Sequence, residues 1–248
     1  MAEYLSGRNA VREALLADRR RIQRVLLAEG VAEQGIIAEI LDLCRKRDLA
    51  PTRAPRPELE RLSDDRTHQG IIAQVSSYPY VELDAILRAA QAATEPAFLL
   101  VLDSLQDPQN VGALLRTADA VGVHGVIIPT RRAAQITPAV SRASAGAAEH
   151  LPVARVTNIA RVIDMLQREG IWVAGLEGRP DAQDYRQANL DLPLALVLGS
   201  EGQGLRRLVA ERCDFLLRIP MRGRVSSLNV SVAGALALYW AWHAREPI

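Results

Sequence analysis

The chain has 248 residues, 49% of them hydrophobic, and its 30 basic and 29 acidic side chains leave a formal charge of +1. That length and apolar content suit one large domain or two unequal ones with real cores, and exclude a disordered chain. The charge balance lacks the basic excess that often marks nucleic-acid binders, although every basic residue except Lys46 is Arg, the better partner for phosphates and bases.

In chain order, SGRNAVREALLA (6–17) reads as a capped amphipathic helix with Val11, Ala14 and Leu15 on one side. IQRVLLA reads as a strand, with the run ending at Gly30. A second helix covers about 34–47, where Ile36, Ile37, Ile40, Leu41 and Cys44 recur at helical spacing. Pro51, Pro55 and Pro57 forbid a continuous helix through PTRAPRPELERL. GIIAQVSSY (70–78) closes a small βαβ-like unit over residues 1–78. Residues 79–95 form a short helix and an alanine-rich linker before Pro96. From 96 to 248 the pattern becomes strand, loop, helix: strands at 98–104, 123–129, LPVARV, IWVAGL and 194–200, with helices near 110–122, 137–146 and 158–169. Apolar strands without polar alternation, separated by helices, predict an α/β fold with a parallel sheet covered on both faces.

Cys44 and Cys213 are isolated, and His68, His124, His150 and His243 are scattered, so neither a disulfide framework nor a metal site is expected. The start MAEYLSGRNAVREALL has no signal-peptide pattern, and no apolar run reaches membrane-spanning length. The expectation is a soluble cytoplasmic protein.

Three loops carry most of the chemistry, because ligands of open parallel sheets gather where the chain leaves the carboxyl ends of strands. The first, LDSLQDPQNVGALLRT, runs from a strand through Asp103, Asp107, Pro108 and Asn110 into a helix bearing Arg116. The second, LVLGSEGQGL, presents Gly199, Ser200, Glu201, Gly202 and Gly204. The third, IPMRGRVSSLNVSVAGALAL (219–238), sets Ser226, Ser227 and Asn229 before an apolar helix, more short polar side chains than one cap requires. Each has a plain structural alternative: Asn110 as a cap, Arg116 paired with Asp119, the glycines as a tight turn. The glycine order is G-x-x-G-x-G and comes late, which argues against a dinucleotide fingerprint. Together the three loops should converge on one sheet edge.

These same segments, in this order and spacing across 98–240, resemble the three signature motifs of the SpoU family of RNA ribose 2′-O-methyltransferases, part of the knotted SPOUT superfamily. SGRNAVREALL and the segment Thr67–Ala73 resemble the family's extra RNA-binding domain, of the ribosomal L30e-like type. The two-domain layout is similar to that of the bacterial large-subunit (23S) rRNA guanosine-2′-O-methyltransferases, while relatives acting on tRNA share it. The resemblance implies a deep C-terminal trefoil knot over roughly 196–240 and a homodimer whose active sites are completed across the subunit interface. It implies S-adenosyl-L-methionine bound by Leu198, Gly199, Glu201, Gly202, Ile219, Pro220, Met221, Ser227, Leu228 and Asn229. Arg116 becomes the candidate base or phosphate anchor, Asn110 its orienting partner, and Glu201, Ser227 and Asn229 the groups that fix the loops and position cofactor and nucleotide.

A ribose hydroxyl needs a proton acceptor and alignment for attack on a methyl group. Arg is normally always protonated, so anchoring a phosphate is the easier role for Arg116. The basic runs 19–21, 45–47 and Arg222/Arg224 are candidate RNA contacts or, for the first two, equally a solvated face. Two other classes compete with the RNA methyltransferase. One is a non-catalytic RNA-binding assembly factor, which would be free to lose Asn110, Arg116, Glu201, Ser227 and Asn229. The other is an unrelated nucleotide-binding α/β enzyme.

Overall fold

The structure is a computed structural model that describes residues 3–63 and 67–245. In chain order its elements are β1 (Glu3–Ser6), α1 (Arg8–Ala17), β2 (Ile22–Ala28), α2 (Ile36–Lys46), β3 (Thr52–Ala54), α3 (Arg56–Ser63), β4 (Ile71–Val75) and α4 (Leu83–Ala92). Then follow β5 (Phe98–Leu102), α5 (Pro108–Ala120), β6 (Gly125–Pro129), α6 (Pro138–Ala143), a 3₁₀ turn (Ala147–Glu149), β7 (Val153–Val156) and α7 (Ile159–Arg168). The chain ends with β8 (Trp172–Leu176), β9 (Gln183–Asp184), β10 (Leu194–Leu198), α8 (Arg207–Arg212), β11 (Phe215–Arg218) and α9 (Val230–His243). Contacts divide it into two units, Met1–Pro79 with Ile136–His150, and Tyr80–Gln135 with Leu151–Ile248.

The first unit is built on a four-stranded sheet of order β1-β4-β2-β3. β2 and β3 are parallel around α2, the expected βαβ step, while β4 runs antiparallel to β1 and β2. Leu5, Leu15, Leu26, Ile37, Ile40, Leu59, Ile71 and Ile72 are buried in its core. One detail differs from the sequence reading and a second extends it. Ser6 does not cap α1: it is the last residue of β1, paired with Ile72, and the side-chain Oε1 of Gln69 instead accepts the Arg8 N–H at 3.0 Å. The Pro-rich stretch does hold a helix, α3, because Pro57 falls in its first turn, where the missing N–H would have no intrahelical partner.

The basic runs also resolve. Arg20 is buried between Glu3 (2.8 Å) and Glu149 (2.9 Å), the latter also accepting from Ser141 Oγ at 2.7 Å. Arg19 donates to the Tyr78 hydroxyl and the Pro79 carbonyl. Arg45 and Lys46 pair with Asp42, and Arg47 with Asp18. These runs are therefore mostly spent within the unit, rather than left as a free cationic face.

The second unit carries a seven-stranded sheet of order β7-β6-β5-β10-β8-β11-β9, every pair parallel. β5, β6 and β10 are buried along their whole length, as strands covered on both faces must be. α4, α7 and α8 pack one face through Ile86, Ile159, Val162, Ile163, Leu166 and Val209, against Val101, Ile127, Val173 and Val197. On the other side, a Cβ at Gly234 of α9 would lie 2.4 Å from Leu114 and 2.6 Å from Leu198, so glycine lets α9 sit close against α5 and β10. The chain moves outward from β5 to β6 and β7, restarts at β8, and returns to insert β10 between β5 and β8. That reversal brings the carboxyl ends of β5, β10 and β8 side by side, the position where such sheets form crevices. β9, β11 and α8 go beyond the sequence reading.

Candidate functional site at the carboxyl edge of the parallel sheet

The first loop is organised by Asp107. It caps α5 by accepting the Gln109 N–H at 3.0 Å, and Pro108 opens the helix. This releases Asn110, a buried amide, from any capping role. Its Nδ2 donates to Asp107 Oδ2 at 3.0 Å and to Glu201 Oε1.

Asn229 mirrors this arrangement from α9. It caps that helix, its Oδ1 accepting from the Ser231 N–H (2.9 Å) and the Val232 N–H, while its Nδ2 donates to Asn110 Oδ1 and Glu201 Oε1, both at 3.0 Å. One carboxylate thus receives amide protons from Asn110 and Asn229, side chains 119 residues apart at the starts of two helices. Of the three polar residues before α9, only Asn229 caps; Ser226 and Ser227 face a cavity.

The second loop turns back on itself. Ser200 and Gly204 exchange backbone hydrogen bonds at 3.0 Å, and a Cβ on Gly199 would stand 2.2 Å from the Gly204 backbone. Glu177, at the end of β8, accepts the Leu205 N–H at 2.8 Å and braces the loop from below. Glu177 was not a sequence candidate, though the rule that singled out the other loops applies equally to the polar residues after IWVAGL.

A cavity of about 680 Å³ opens between these parts. Leu198, Gly199, Glu201, Gly202, Ile219, Met221, Ser227, Leu228 and Asn229 all line it; Pro220 does not. Its third wall, 219–228, makes no backbone hydrogen bond to any described residue, and Met221 and Leu228 are exposed at the mouth. Free backbone donors and acceptors, apolar side chains and a glycine-tightened turn suit a ligand that combines a purine-like ring with polar ends. Among the described residues no group of His, Cys, Asp or Glu is arranged to hold a metal ion, and no helix is long and apolar enough to cross a membrane.

A second cavity, about 670 Å³, lies across the Glu201 loop; Asn110 and Glu201 of the cluster line it, and it shares Ser200, Glu201 and Gly204 with the first cavity. Arg116 joins neither cavity. It is exposed on α5, about 9 Å along the axis from Asn110, and forms no hydrogen bond or ion pair with any described residue, Asp119 included. Arg222 and Arg224 are exposed on the 219–228 wall, outside the lining.

Comparison with known proteins decides the family. Residues 97–239 match the SpoU rRNA Methylase family, and residues 4–81 match the RNA 2′-O ribose methyltransferase substrate binding family. The chain belongs to the SpoU methylase family. It is 45% identical over 246 residues to YacO of Bacillus subtilis (strain 168), named for the TrmH family of tRNA/rRNA methyltransferases, covering 99% of this chain and 97% of that one. Among solved structures it resembles the SpoU methyltransferase AviRb from Streptomyces viridochromogenes in complex with AdoMet, with a TM-score of 0.80, 25% identity and coverage of 98% and 90%. A crystal structure of an RNA 2′-O ribose methyltransferase matches with a TM-score of 0.79 and 28% identity, covering 98% of this chain and 89% of that one. Both family matches fall on the segments that carry the motifs, and the SpoU match spans all three loops of the site.

Proposed function

We infer that this protein transfers the methyl group of S-adenosyl-L-methionine to a ribose 2′-hydroxyl of RNA, with a guanosine of large-subunit rRNA as the target. One observation carries the reading: the Asn110–Glu201–Asn229 cluster sits at the rim of a cavity whose third wall is unbonded backbone. S-adenosyl-L-methionine, when bound, supplies an electrophilic sulfonium methyl. Leu198, Gly199, Gly202, Ile219, Met221, Ser227 and Leu228 hold it, and Pro220 stiffens the wall without lining it. Glu201 fixes the two asparagine amides, so that Asn229 shapes the cavity rim that positions cofactor and nucleotide, and Ser227 beside it orients them. The match of residues 4–81 to a substrate-binding family supports RNA as the partner.

Arg116 acts in a second copy of the chain. It is exposed and has no hydrogen-bond or ion-pair partner among the described residues, and it stands between Ala113 and Thr117, which line an apolar groove together with Val232, Leu236 and Tyr239 of α9. Packing two such faces forms a homodimer and carries each Arg116 toward the partner's cluster, where it anchors the phosphate beside the target ribose or assists deprotonation. The knotted path of 196–240 belongs to the same reading.

The test is transfer of labelled methyl groups to separate rRNA and tRNA pools from cells lacking this gene, followed by mapping of the 2′-O-methyl nucleotide. Label at one guanosine of large-subunit rRNA is the expected result. Label in tRNA overturns the substrate and keeps the chemistry. Cofactor binding with no label in either pool favours the RNA-binding assembly factor.

A further inference from the structure

We propose that the second cavity seats an RNA phosphate next to the ribose being methylated, with Arg206 as its anchor, Arg132 as a second cation and Asp103 as the residue that positions Arg206. The inference deepens the methyl-transfer reading and rests on it. A ribose 2′-hydroxyl always has a phosphodiester beside it, so a site that holds the ribose must also receive that charge. The Asn110–Glu201–Asn229 cluster offers amides and a carboxylate but no cation.

Asp103 and Arg206 form a one-sided pair. Asp103 is wholly buried at the carboxyl end of β5, whereas the Arg206 side chain is 53% exposed and lines the cavity. The carboxylate takes Arg206 Nε (2.9 and 3.0 Å) and Nη2 (2.6 Å). The remaining Nη1–Nη2 edge has no acceptor among the described residues. A guanidinium fixed along one edge and open along the other is prepared for bidentate contact with a phosphate.

Arg132 lines the same cavity, is exposed, and has no acceptor among the described residues. Its backbone is left-handed (φ 58°), and so is that of Ser104 on the same cavity (φ 66°). Such conformations in residues other than glycine are costly and gather at functional sites. The two strained loops are tied by the Ala134 N–H to the Leu105 carbonyl at 2.8 Å. The other charged lining groups are already engaged: Asp107 with α5 and Asn110, Glu201 with the two amides, and Arg207 with Glu211 at 2.8 Å. The free hydrogen-bond donors of charged groups in the cavity are therefore those of Arg206 and Arg132.

The experiment uses the full chain, unmodified transcripts of large-subunit rRNA and tRNA, and filter binding across a salt series, with cofactor affinity by calorimetry and melting temperature as controls. Arg132→Ala should reduce the slope of log affinity against log salt by about 1, the value for one lost phosphate contact. Arg206→Lys keeps the charge beside Asp103 but loses the second edge. It should raise KM for RNA roughly tenfold with kcat, melting temperature and cofactor affinity held. Asp103→Asn should raise KM in the same way, and combining it with Arg206→Lys should add little. Unchanged RNA affinity in both Arg206→Lys and Arg132→Ala overturns the proposal, as does a loss of cofactor affinity equal to the loss for RNA. Failure of the methyl-transfer reading shows separately, as wild-type protein that binds the transcripts but labels neither.

Discussion

At the residue scale, the site depends on which polar side chains satisfy local structure and which are released from it. Asp107 and Asn229 cap helices, and those caps aim the Asn110 and Asn229 amides at one carboxylate. Glu201→Gln keeps the shape but turns an acceptor toward two donors into a group with donors of its own. It should slow methyl transfer on the order of 10²-fold, the range seen when one preorganised electrostatic group is removed, while circular dichroism remains that of the wild type. Arg116→Ala should abolish transfer with the fold and cofactor binding intact, since the exposed Arg116 forms no hydrogen bond or ion pair with any described residue of its own chain; near-normal turnover would remove it from the mechanism. Most of this cluster is legible in the sequence, because three short polar side chains before one helix exceed what capping needs. Their places after strands mark Asp103 and Glu177 in the sequence too, but nothing local names their partners, which lie 103 and 28 residues away.

At the element scale, two close approaches hold the site together. Gly199 lets the turn 200–204 fold back over its own strand, and Gly234 lets α9 seat against Leu114 and Leu198. Gly199→Ala forces a methyl group into backbone that cannot yield, so cofactor binding measured by calorimetry should be lost even if the rest of the sheet forms. Gly234→Val overpacks the α5–α9 contact and should cost about 1–3 kcal/mol in denaturant unfolding. If its unfolding midpoint matches that of the wild type, the close packing of α9 is not a constraint. Long apolar strands and strongly periodic helices such as α2, α5 and α7 follow directly from the sequence pattern. β1, β3, β9 and β11 are short, with two to four residues each, and owe their state to strand neighbours rather than to their own composition.

At the scale of the whole molecule, a cross-subunit site predicts complementation. Arg116→Ala and Asn229→Ala, each inactive alone, should regain activity when mixed after co-refolding, because one interface would then hold both intact groups; absence of recovery would return Arg116 to a role within its own chain. A charged residue at Leu236 should shift sedimentation toward the monomer and lower activity with it. Burial pushes the Cys213 thiol up to about 12, helped by Asp214 and Asp103, and the Cys44 thiol up to about 11. At pH 8 both should therefore react with iodoacetamide at least roughly a hundredfold more slowly than in urea, where the ordinary thiol value returns. These raised values stabilise the fold fully below the unfolded thiol value, and that contribution is lost as pH rises through about 11 to 12. A Cys44→Ala/Cys213→Ala double variant should lose less stability over that interval.

Signals local in the chain set the alternation of strands and helices, the parallel sheet, and the three loops that meet at its edge. Those features arise from hydrophobic period, proline and glycine placement, and short-range capping, all local in the chain. Long-range packing is what inserts β10 between β5 and β8, gives two asparagines one carboxylate, and buries Arg20 rather than offering it to RNA. The same packing places residues 136–150 in the first unit. The physical reason is the same in each case: strand order, ion pairing and the burial of a polar group are set by partners distant in sequence, and hydrophobic period and capping carry no information about them.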